Sequence, residues 1–228
     1  MTITKLKPRD CVLDEATHKY FWNPGGENIQ MAISVTGVIA AGKPPVDYSR
    51  FPEAAPRGTH VHRCMEALAN NQDLPDPVSP EGIDCSGWFE VLQNVPLWGN
   101  YNVLAAELTM TKRRWSLGGQ LDLLVERDGK RTLVDLKTKS AKWELPKPRS
   151  RFYDDWLKTL QGYKAQAGAY ADLLETGDGS EPCWIDNYQT LIVTPNFHEW
   201  ISFDGYEAAH AWADAWQTYL AHKQANPF

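Results

Sequence analysis

The sequence contains no long apolar run. A membrane-spanning helix needs roughly 18 or more consecutive apolar residues, and no window of the 228 residues approaches that length. The first residues, MTITKLKPRDC, also lack the apolar stretch of a secretory signal peptide. We therefore expect a cytoplasmic protein that has no membrane partner.

Cysteine and overall basic charge are also scarce. The four cysteines, Cys11, Cys64, Cys85 and Cys183, form no C-x-x-C pair, and such a pair is typical of zinc ribbons. Scattered cysteines favour the reduced thiols of a cytosolic protein. The 23 Lys and Arg are outnumbered by 29 Asp and Glu, which gives a formal net charge of -6. Overall charge gives no support for nucleic-acid binding, although a local basic stripe could still provide it.

The chain has no internal repeat, low-complexity tract or linker. Its composition, 43% hydrophobic and 23% charged, is ordinary for a globular protein that buries a core. We therefore expect a single domain spanning residues 1–228. Residues 1–55, in which HKYFWN and MAISVTGVIA flank the turn-rich NPGGEN, are expected to form a hairpin and loop extension that packs on this core.

Three strand patterns follow one another in the middle of the chain: YNVLAAELTMTKR, LGGQLDLLVERD and RTLVDLKTK. The Asp128-Gly129 turn joins the last two, so an antiparallel meander is predicted. Helical patterns come before it, in THVHRCMEALAN from Thr59 and in EGIDCSGWFEVLQNV, and after it, in WLKTLQGYKAQAGAYADLLETG. A further strand pair and a C-terminal helix follow. The predicted fold class is α/β, a mixed central β-sheet flanked by helices, and GKPPVDYSRFPEAAPRG is predicted to be a loop.

Two of the predicted strands place charges among apolar residues. Asp122 lies in the first strand of the hairpin, and Asp135 and Lys137 lie in the second. Residues i and i+2 share a strand face, so Asp135 and Lys137 point the same way, and the hairpin can bring Asp122 beside them. Two carboxylates next to an ammonium indicate a site for Mg2+ or Mn2+. The alternative is a solvated strand face whose charges point outward.

Basic residues concentrate directly after these strands. Residues 137–151 include one acidic residue, Glu144, and aromatic residues follow them. Charge runs are usually solvated loops, but phosphate contact combined with base stacking is the preferred interpretation here. Lys112, Arg113 and Arg114 could extend the same surface. The candidate DNA-binding residues are Lys139, Lys142, Trp143, Lys147, Arg149, Arg151, Arg113 and Arg114.

The ordered combination of motifs resembles the PD-(D/E)XK nuclease superfamily and, more narrowly, its RecB-like exonucleases of the phage and mitochondrial genome maintenance type. Gly119 to Asp122 is similar to their G-x-x-D strand, and Val134 to Thr138 is similar to their D-x-K-T strand. Gly58 to His62 resembles their G-x-x-x-H helix start, and Gln166 to Tyr170 their Q-x-x-x-Y helix. HKYFWN followed by ISVTGVI also resembles the N-terminal segment of those exonucleases.

The resemblance implies a restriction-endonuclease-like core and one or two Mg2+ or Mn2+ ions as cofactor. The implied metal ligands are His62, Asp122 and Asp135, and the implied catalytic residues are Asp122, Asp135, Lys137, Glu107, Gln166 and Tyr170. His62 could instead be a core histidine, and Gln166 and Tyr170 could be ordinary packing residues. Glu107 could bind metal through water, orient a ligand or be an exposed strand residue. Some RecB-like members carry an iron-sulfur cluster on one upstream and three downstream cysteines, but only Cys183 lies downstream here, so no cluster is expected.

The implied activity is hydrolysis of DNA phosphodiester bonds by a divalent-metal-dependent exonuclease with a phage-like recombination or repair role. The implied partners are single- or double-stranded DNA ends, with a phage single-strand annealing or recombination protein as a further candidate. The expected location is the bacterial host cytoplasm if a phage encodes the chain. Two alternatives remain open: a structure-specific or sequence-specific endonuclease, and a non-catalytic nucleic-acid-binding module of the same fold. The oligomeric state is left open.

Overall fold

The computed structural model describes residues 5–6, 9–44, 48–179 and 181–225, without the side chain of Tyr48. Residues 1–4, 7–8 and 45–47 of the predicted N-terminal extension therefore lie outside the described residues. Groups of strands and helices follow one another along the chain, with short 3-10 turns between some of them. Their bounds are β1 (Cys11–Asp14), β2 (Lys19–Trp22), β3 (Ile29–Gln30), β4 (Ile33–Ser34), α1 (Val35–Ala40), α2 (Ala54–Asn70), α3 (Ser86–Gln93), β5 (Asn102–Lys112), β6 (Leu117–Arg127), β7 (Lys130–Thr138), α4 (Tyr153–Thr176), β8 (Asn187–Val193), β9 (His198–Phe203) and α5 (Gly205–Ala225).

The central sheet is mixed. β5, β6 and β7 form the predicted antiparallel meander, which is confirmed. β7 then pairs in parallel with β8, β8 pairs antiparallel with β9, and the short β4 pairs in parallel with the start of β6. Helices flank this sheet on both faces, so the predicted α/β fold class is confirmed.

Two apolar clusters hold the helices on the sheet. One contains Leu121 and Leu133 together with Leu173 of α4 and lies on the side of α1, α4 and α5. The other contains Leu136 together with Val61 of α2 and lies on the side of α2 and α3. Fully burying one such side chain contributes roughly 1.5–3 kcal/mol. The catalytic candidates on the sheet are therefore held from both faces.

The N-terminal strands form a small second sheet, in the order β1, β2, β3. A hairpin around NPGGEN is present as β2 and β3, but β3 precedes MAISVTGVIA, which forms β4 and α1 instead. β1 is a strand that the sequence pattern did not predict. Tyr20 of β2 lies directly on Gly118 of β6, where an added Cβ would come within 2.3 Å of the Tyr20 Cβ. The guanidinium of Arg113 lies 3.5 Å from the ring centre of Trp22. The small sheet therefore packs on β5 and β6, whereas α1 packs on α4 and α5.

Helix α2 begins earlier than predicted. The sequence analysis placed its start at Thr59, after a proline-rich loop, but the helix begins at Ala54 and includes Pro56 and Gly58. Proline is tolerated there because the N–H groups of the first turn have no acceptor within the helix. The earlier start places Gly58 next to β7, since an added Cβ would lie 3.6 Å from Thr138 Oγ1.

Helices α4 and α5 are the longest, with 24 and 21 residues. They pack closely at Gly168, where an added Cβ would come within 2.2 Å of the Ala208 carbonyl oxygen. Helix α5 exposes polar side chains along its length, whereas α4 exposes them mainly in its N-terminal part. Within the described ranges of the chain, no helix is long and apolar enough to span a membrane.

Candidate active site

The β6–β7 hairpin is closed at its turn and open at its far end. The ladder of paired residues ends at Leu123 and Val134. The next opposed residues are Asp122 and Asp135, and they are outside the ladder. The Asp122 carboxylate instead accepts a hydrogen bond of 2.6 Å from the backbone N–H of Leu136, so a side chain satisfies an amide that the sheet has released. The gap between the strands thus begins at the two predicted carboxylates.

Strand β5 is irregular opposite this gap. Glu107 has φ of 48°, in the left-handed region that is rare for residues other than glycine. Residues two apart normally share a strand face, yet Ala106 and Leu108 pack in different apolar clusters, and so do Leu121 and Leu123 of β6. The side chains of both strands therefore switch from one face of the sheet to the other at this point, where Glu107 lies beside the gap. Backbone strain of this kind occurs often at functional sites.

His62 of α2 reaches the same place. Its Nδ1 lies 3.3 Å from Glu107 Oε1 and 3.6 Å from Asp122 Oδ1. One potential ligand atom from each of these three residues lies within 4.8 Å of the others. An imidazole nitrogen and two carboxylate oxygens suit a divalent cation such as Mn2+ or Mg2+. Glu107 therefore joins His62 and Asp122 in one potential metal cluster, a role that the sequence analysis left open.

A second row of polar groups begins at Asp135. Lys137 Nζ donates to Asp135 Oδ1 at 2.9 Å and to Gln166 Oε1 at 3.0 Å. Gln166 Nε2 donates to the Tyr170 hydroxyl at 3.0 Å. The ammonium also lies 5.5 Å from the ring centre of Tyr163. Because an ammonium can only donate, the amide of Gln166 has one possible orientation. The structure thus brings all four of the predicted residues Asp135, Lys137, Gln166 and Tyr170 together.

The protonation of these groups is strongly perturbed. Burial raises the pKa of Asp122, against the opposing effect of His62. Burial also raises the pKa of Asp135 to about 6, although Lys137 opposes the shift. For His62, burial lowers the pKa, but Asp122 and Glu107 overcome it and raise the value to about 9. Burial likewise disfavours charged Lys137, yet Asp135 and Asp122 raise its pKa. Without a cation, His62, Asp122 and Asp135 therefore keep their protons to a higher pH than the free side chains would.

The residues present fit a divalent cation. Asp135 is 1% exposed, and Lys137 pairs with only one of its carboxylate oxygens. The other oxygen, Oδ2, is buried and has no hydrogen-bond partner among the described residues. A buried acceptor without a partner costs about 1–3 kcal/mol, and more when charged. The cluster of His62, Glu107 and Asp122 thus offers donor atoms for Mg2+ or Mn2+. The predicted ligand Asp135 is not part of this cluster, but its orphaned oxygen is a further acceptor opposite Asp122 in the hairpin.

The basic loop, residues 139–151, leaves β7 beside this site. Lys142, Lys147, Arg149 and Arg151 are exposed, and Lys139 is half-buried. The Lys139 ammonium lies 5.8 Å from the ring centre of Tyr163, which also contacts Lys137. The start of the loop therefore adjoins the active-site helix α4.

Trp143 of the basic loop is half-buried. Its ring stacks on Phe197 at 6.2 Å between centres and meets Trp156 edge-on at 6.1 Å. These contacts fix the ring against α4 and the turn between β8 and β9. Base stacking on Trp143 thus remains a prediction, for a ring that already has two aromatic neighbours.

Arg113 and Arg114 lie away from the basic loop. Lys112, which the sequence analysis placed with them on the surface, is 2% exposed, and its Nζ pairs with Asp172 at 2.7 Å. That expectation for Lys112 is wrong because a carboxylate of α4 holds its ammonium inside. Arg113 pairs with Asp178 beyond the C-terminal end of α4. The basic loop leads into the N-terminal end, and 24 residues of helix span about 36 Å, so one continuous patch is not formed.

Two tyrosines that the sequence analysis did not identify adjoin the site. Tyr20 is buried, and this burial together with Glu107 and Asp122 raises its pKa to about 12. Its only signal was its place in HKYFWN, a stretch used for the hairpin prediction and for the resemblance but not for the site. Tyr163 lies three residues before Gln166, on the same face of α4. That spacing could have identified it as a neighbour of the catalytic lysine.

An open hairpin that presents carboxylates and a lysine, beside a possible metal cluster, is typical of metal-dependent nucleases. Comparison with known families agrees. A family model described as the PD-(D/E)XK nuclease superfamily matches residues 88–223, more than half of the 228 residues. The chain belongs to the PD-(D/E)XK nuclease superfamily, whose nucleases use divalent metals. The match includes β5, β6, β7 and α4, which carry the site except for His62.

Other comparisons are less informative. The search of curated proteins gave no match. A solved structure described as "Crystal structure of SSO0001" is similar, with 14% sequence identity and a TM-score of 0.26. The similarity covers 49% of this chain and 44% of that one, so the chain spans less than half the length of that structure.

Proposed function

We propose that the protein is a divalent-metal-dependent DNA exonuclease whose single nuclease domain spans residues 1–228. The observation that carries the proposal is the buried carboxylate of Asp135. One of its oxygens is held by Lys137, and the other has no described partner although it lies beside the ladder end of the open hairpin. The neighbouring cluster of His62, Glu107 and Asp122 adds further ligands for a metal ion bound by this carboxylate.

The residues of the site divide into ligands and a phosphate-binding group. His62, Asp122 and Asp135, with Glu107, would hold one or two Mg2+ or Mn2+ ions, which when bound supply a more acidic water and neutralise phosphate charge. The pKa of Lys137 is raised by the nearby carboxylates, so this lysine is suited to remain charged and donate to a phosphate oxygen.

Gln166 and Tyr170 position the lysine. The Gln166 carbonyl accepts from Lys137, and its amide nitrogen donates to the Tyr170 hydroxyl. These hydrogen bonds hold the Lys137 ammonium at the open end of the hairpin, between Asp135 and Gln166. A lysine held in place before substrate binds loses less entropy in the reaction.

Two different observations support DNA as the substrate and cleavage from its ends. The basic loop, whose start adjoins α4 at Tyr163, exposes four cations and suits a phosphate backbone. Cleavage from ends is preferred because the order of motifs resembles the RecB-like exonucleases of phage and mitochondrial type. A phage-like role in recombination or repair, with a single-strand annealing or recombination protein as partner, follows from the same resemblance.

The test is digestion of singly end-labelled linear DNA, single-stranded and double-stranded, beside covalently closed circular DNA. Each substrate is incubated with Mg2+, Mn2+ or EDTA, and an Asp135→Asn variant controls for a contaminating nuclease. We expect metal-dependent loss of the linear substrates and intact circles. Cleavage of the circles would instead identify an endonuclease. Binding of DNA without cleavage in any metal would identify a non-catalytic module.

A further inference from the structure

Arg57 is a buried cation that has no anionic partner among the described residues. It is the fourth residue of α2 and is 7% exposed. Its guanidinium carbon lies 5.2 Å from the ring centre of Trp88. Its Nε is buried without a hydrogen bond, whereas its two terminal nitrogens reach the surface and likewise donate to no described residue. The guanidinium is thus packed against Trp88, and its outward N–H groups have no hydrogen-bond acceptor among the described residues.

The other deeply buried cations of the chain have partners. Lys112 pairs with Asp172 at 2.7 Å. Arg9 is 6% exposed and donates to two backbone carbonyls at the end of α4, one of them at 3.0 Å. Burying a cation without such a partner is unfavourable. The contrast indicates that the partner of Arg57 comes from outside the described residues.

The position of Arg57 indicates which anion is its partner. The following residue, Gly58, lies next to Thr138 at the C-terminal end of β7. Trp88, which supports the guanidinium, donates from Nε1 to the Lys139 carbonyl at 2.9 Å. Arg57 therefore lies where the strand that carries the catalytic lysine passes into the basic loop. A nucleic-acid strand that reaches the active site would place its neighbouring phosphates in this region.

We propose that Arg57 binds a non-scissile phosphate of the nucleic-acid substrate, next to the active site. This inference rests on the proposed nuclease function. A guanidinium offers two parallel N–H donors to a phosphate, and such charge-assisted pairs are the stronger hydrogen bonds. Because burial of the side chain and packing on Trp88 already restrict the group, little side-chain freedom is lost on binding.

The test compares Arg57→Met with Arg63→Met. Arg63 lies on the same helix and is exposed, so it controls for the loss of one positive charge. Affinity for a labelled single-stranded oligonucleotide is measured in EDTA over a range of salt concentrations. For Arg57→Met we expect affinity in 0.1 M salt to fall on the order of five- to tenfold and the salt slope to fall by about 0.7. Arg63→Met should remain close to the wild type.

Thermal unfolding without DNA separates binding from a structural role. Methionine replaces an uncompensated buried charge, so Arg57→Met should unfold at the same temperature as the wild type or higher. A lower unfolding temperature with unchanged affinity would show a structural arginine and overturn the inference. Unchanged affinity and salt slope would overturn it as well. If Arg57→Met does not fold, Arg57→Lys should keep the salt slope and lose affinity, and wild-type affinity in that variant would count against the proposal.

Cleavage of the same oligonucleotide in Mn2+ distinguishes this inference from the proposed function. If the wild type cleaves the oligonucleotide and Arg57→Met binds it with unchanged affinity, only the role of Arg57 is overturned. Wild-type binding without cleavage overturns the nuclease, while the comparison of the two arginines still decides on the phosphate site. A wild type that neither binds nor cleaves overturns both.

Discussion

Replacing Asp135 with asparagine should stabilise the metal-free protein while removing cleavage. Burial raises the pKa of Asp135 to about 6, from a usual value of 3.8, against the opposing effect of Lys137. A group with a raised pKa in the folded state contributes stability that is present below its unfolded pKa and is lost as the pH rises through the folded value. The loss therefore falls between pH 3.8 and about 6. Above this range, ionised Asp135 opposes folding.

The magnitude follows from the shift. A difference of about two pKa units corresponds to about 3 kcal/mol. This value already includes the favourable pairing with Lys137, so it is the upper limit of the gain from asparagine. Because an amide fits the carboxylate site imperfectly, we expect a net stabilisation of about 1–2 kcal/mol at pH 7.5. For a chain of this size, that is a rise of roughly 2–8 °C in Tm.

The assay is thermal unfolding in EDTA from pH 5 to 8. Asp128→Asn is the matched control, because Asp128 lies in the turn of the same hairpin and its side chain is 87% exposed. The difference between Asp135→Asn and the wild type should shrink towards pH 5. Mn2+ should raise the Tm of the wild type and of the control, but much less that of Asp135→Asn. A lower Tm for Asp135→Asn at pH 7.5 in EDTA, or near wild-type cleavage, would refute the reasoning.

Lys137, the basic loop and His62 should give separable effects. Lys137→Ala should lower single-turnover cleavage by orders of magnitude with DNA affinity in Ca2+ almost unchanged, and an unaffected rate would exclude its catalytic role. Alanine at the four exposed cations of the basic loop should weaken binding across sequences and lower the salt slope by about 0.7–0.9 per lost contact, whereas an unchanged slope would mean that DNA lies elsewhere. Because the pKa of His62 is about 9, Mn2+ binding at pH 7 should release about one proton, and its affinity should rise towards pH 9. Calorimetry in buffers of different ionisation enthalpy measures this release, which His62→Ala should lose, and its persistence there would exclude His62 as a ligand.

Local patterns predicted most of the sheet and part of the site. The alternating strands and the Asp128-Gly129 turn predicted the meander, since both depend on residues close in sequence. The i and i+2 spacing placed Asp135 and Lys137 on one face, and they are hydrogen-bonded. The positions of His62 and Gln166, in contrast, came from the resemblance, because no local rule connects a helix with a strand far along the chain.

The features that were missed depend on tertiary structure. The left-handed conformation of Glu107 is supported by Gln120, whose side chain donates to the Glu107 carbonyl at 3.0 Å. Nothing in a strand pattern indicates such a contact between β5 and β6. Arg113 and Arg114 follow a strand that is adjacent in the sheet, yet the length of α4 separates them from the basic loop. Charge clusters in sequence therefore did not predict one surface.

The hydrogen bond between Leu136 and Asp122 makes a backbone amide a natural probe of the site. The amide lies one residue from Asp135, and its acceptor is a carboxylate whose ionisation changes the strength of the bond. Its proton resonance should therefore follow the charge state of Asp122. Nuclear magnetic resonance can observe this one signal in the unmodified protein, so events at the catalytic carboxylates become visible without a substitution, a label on the substrate or turnover.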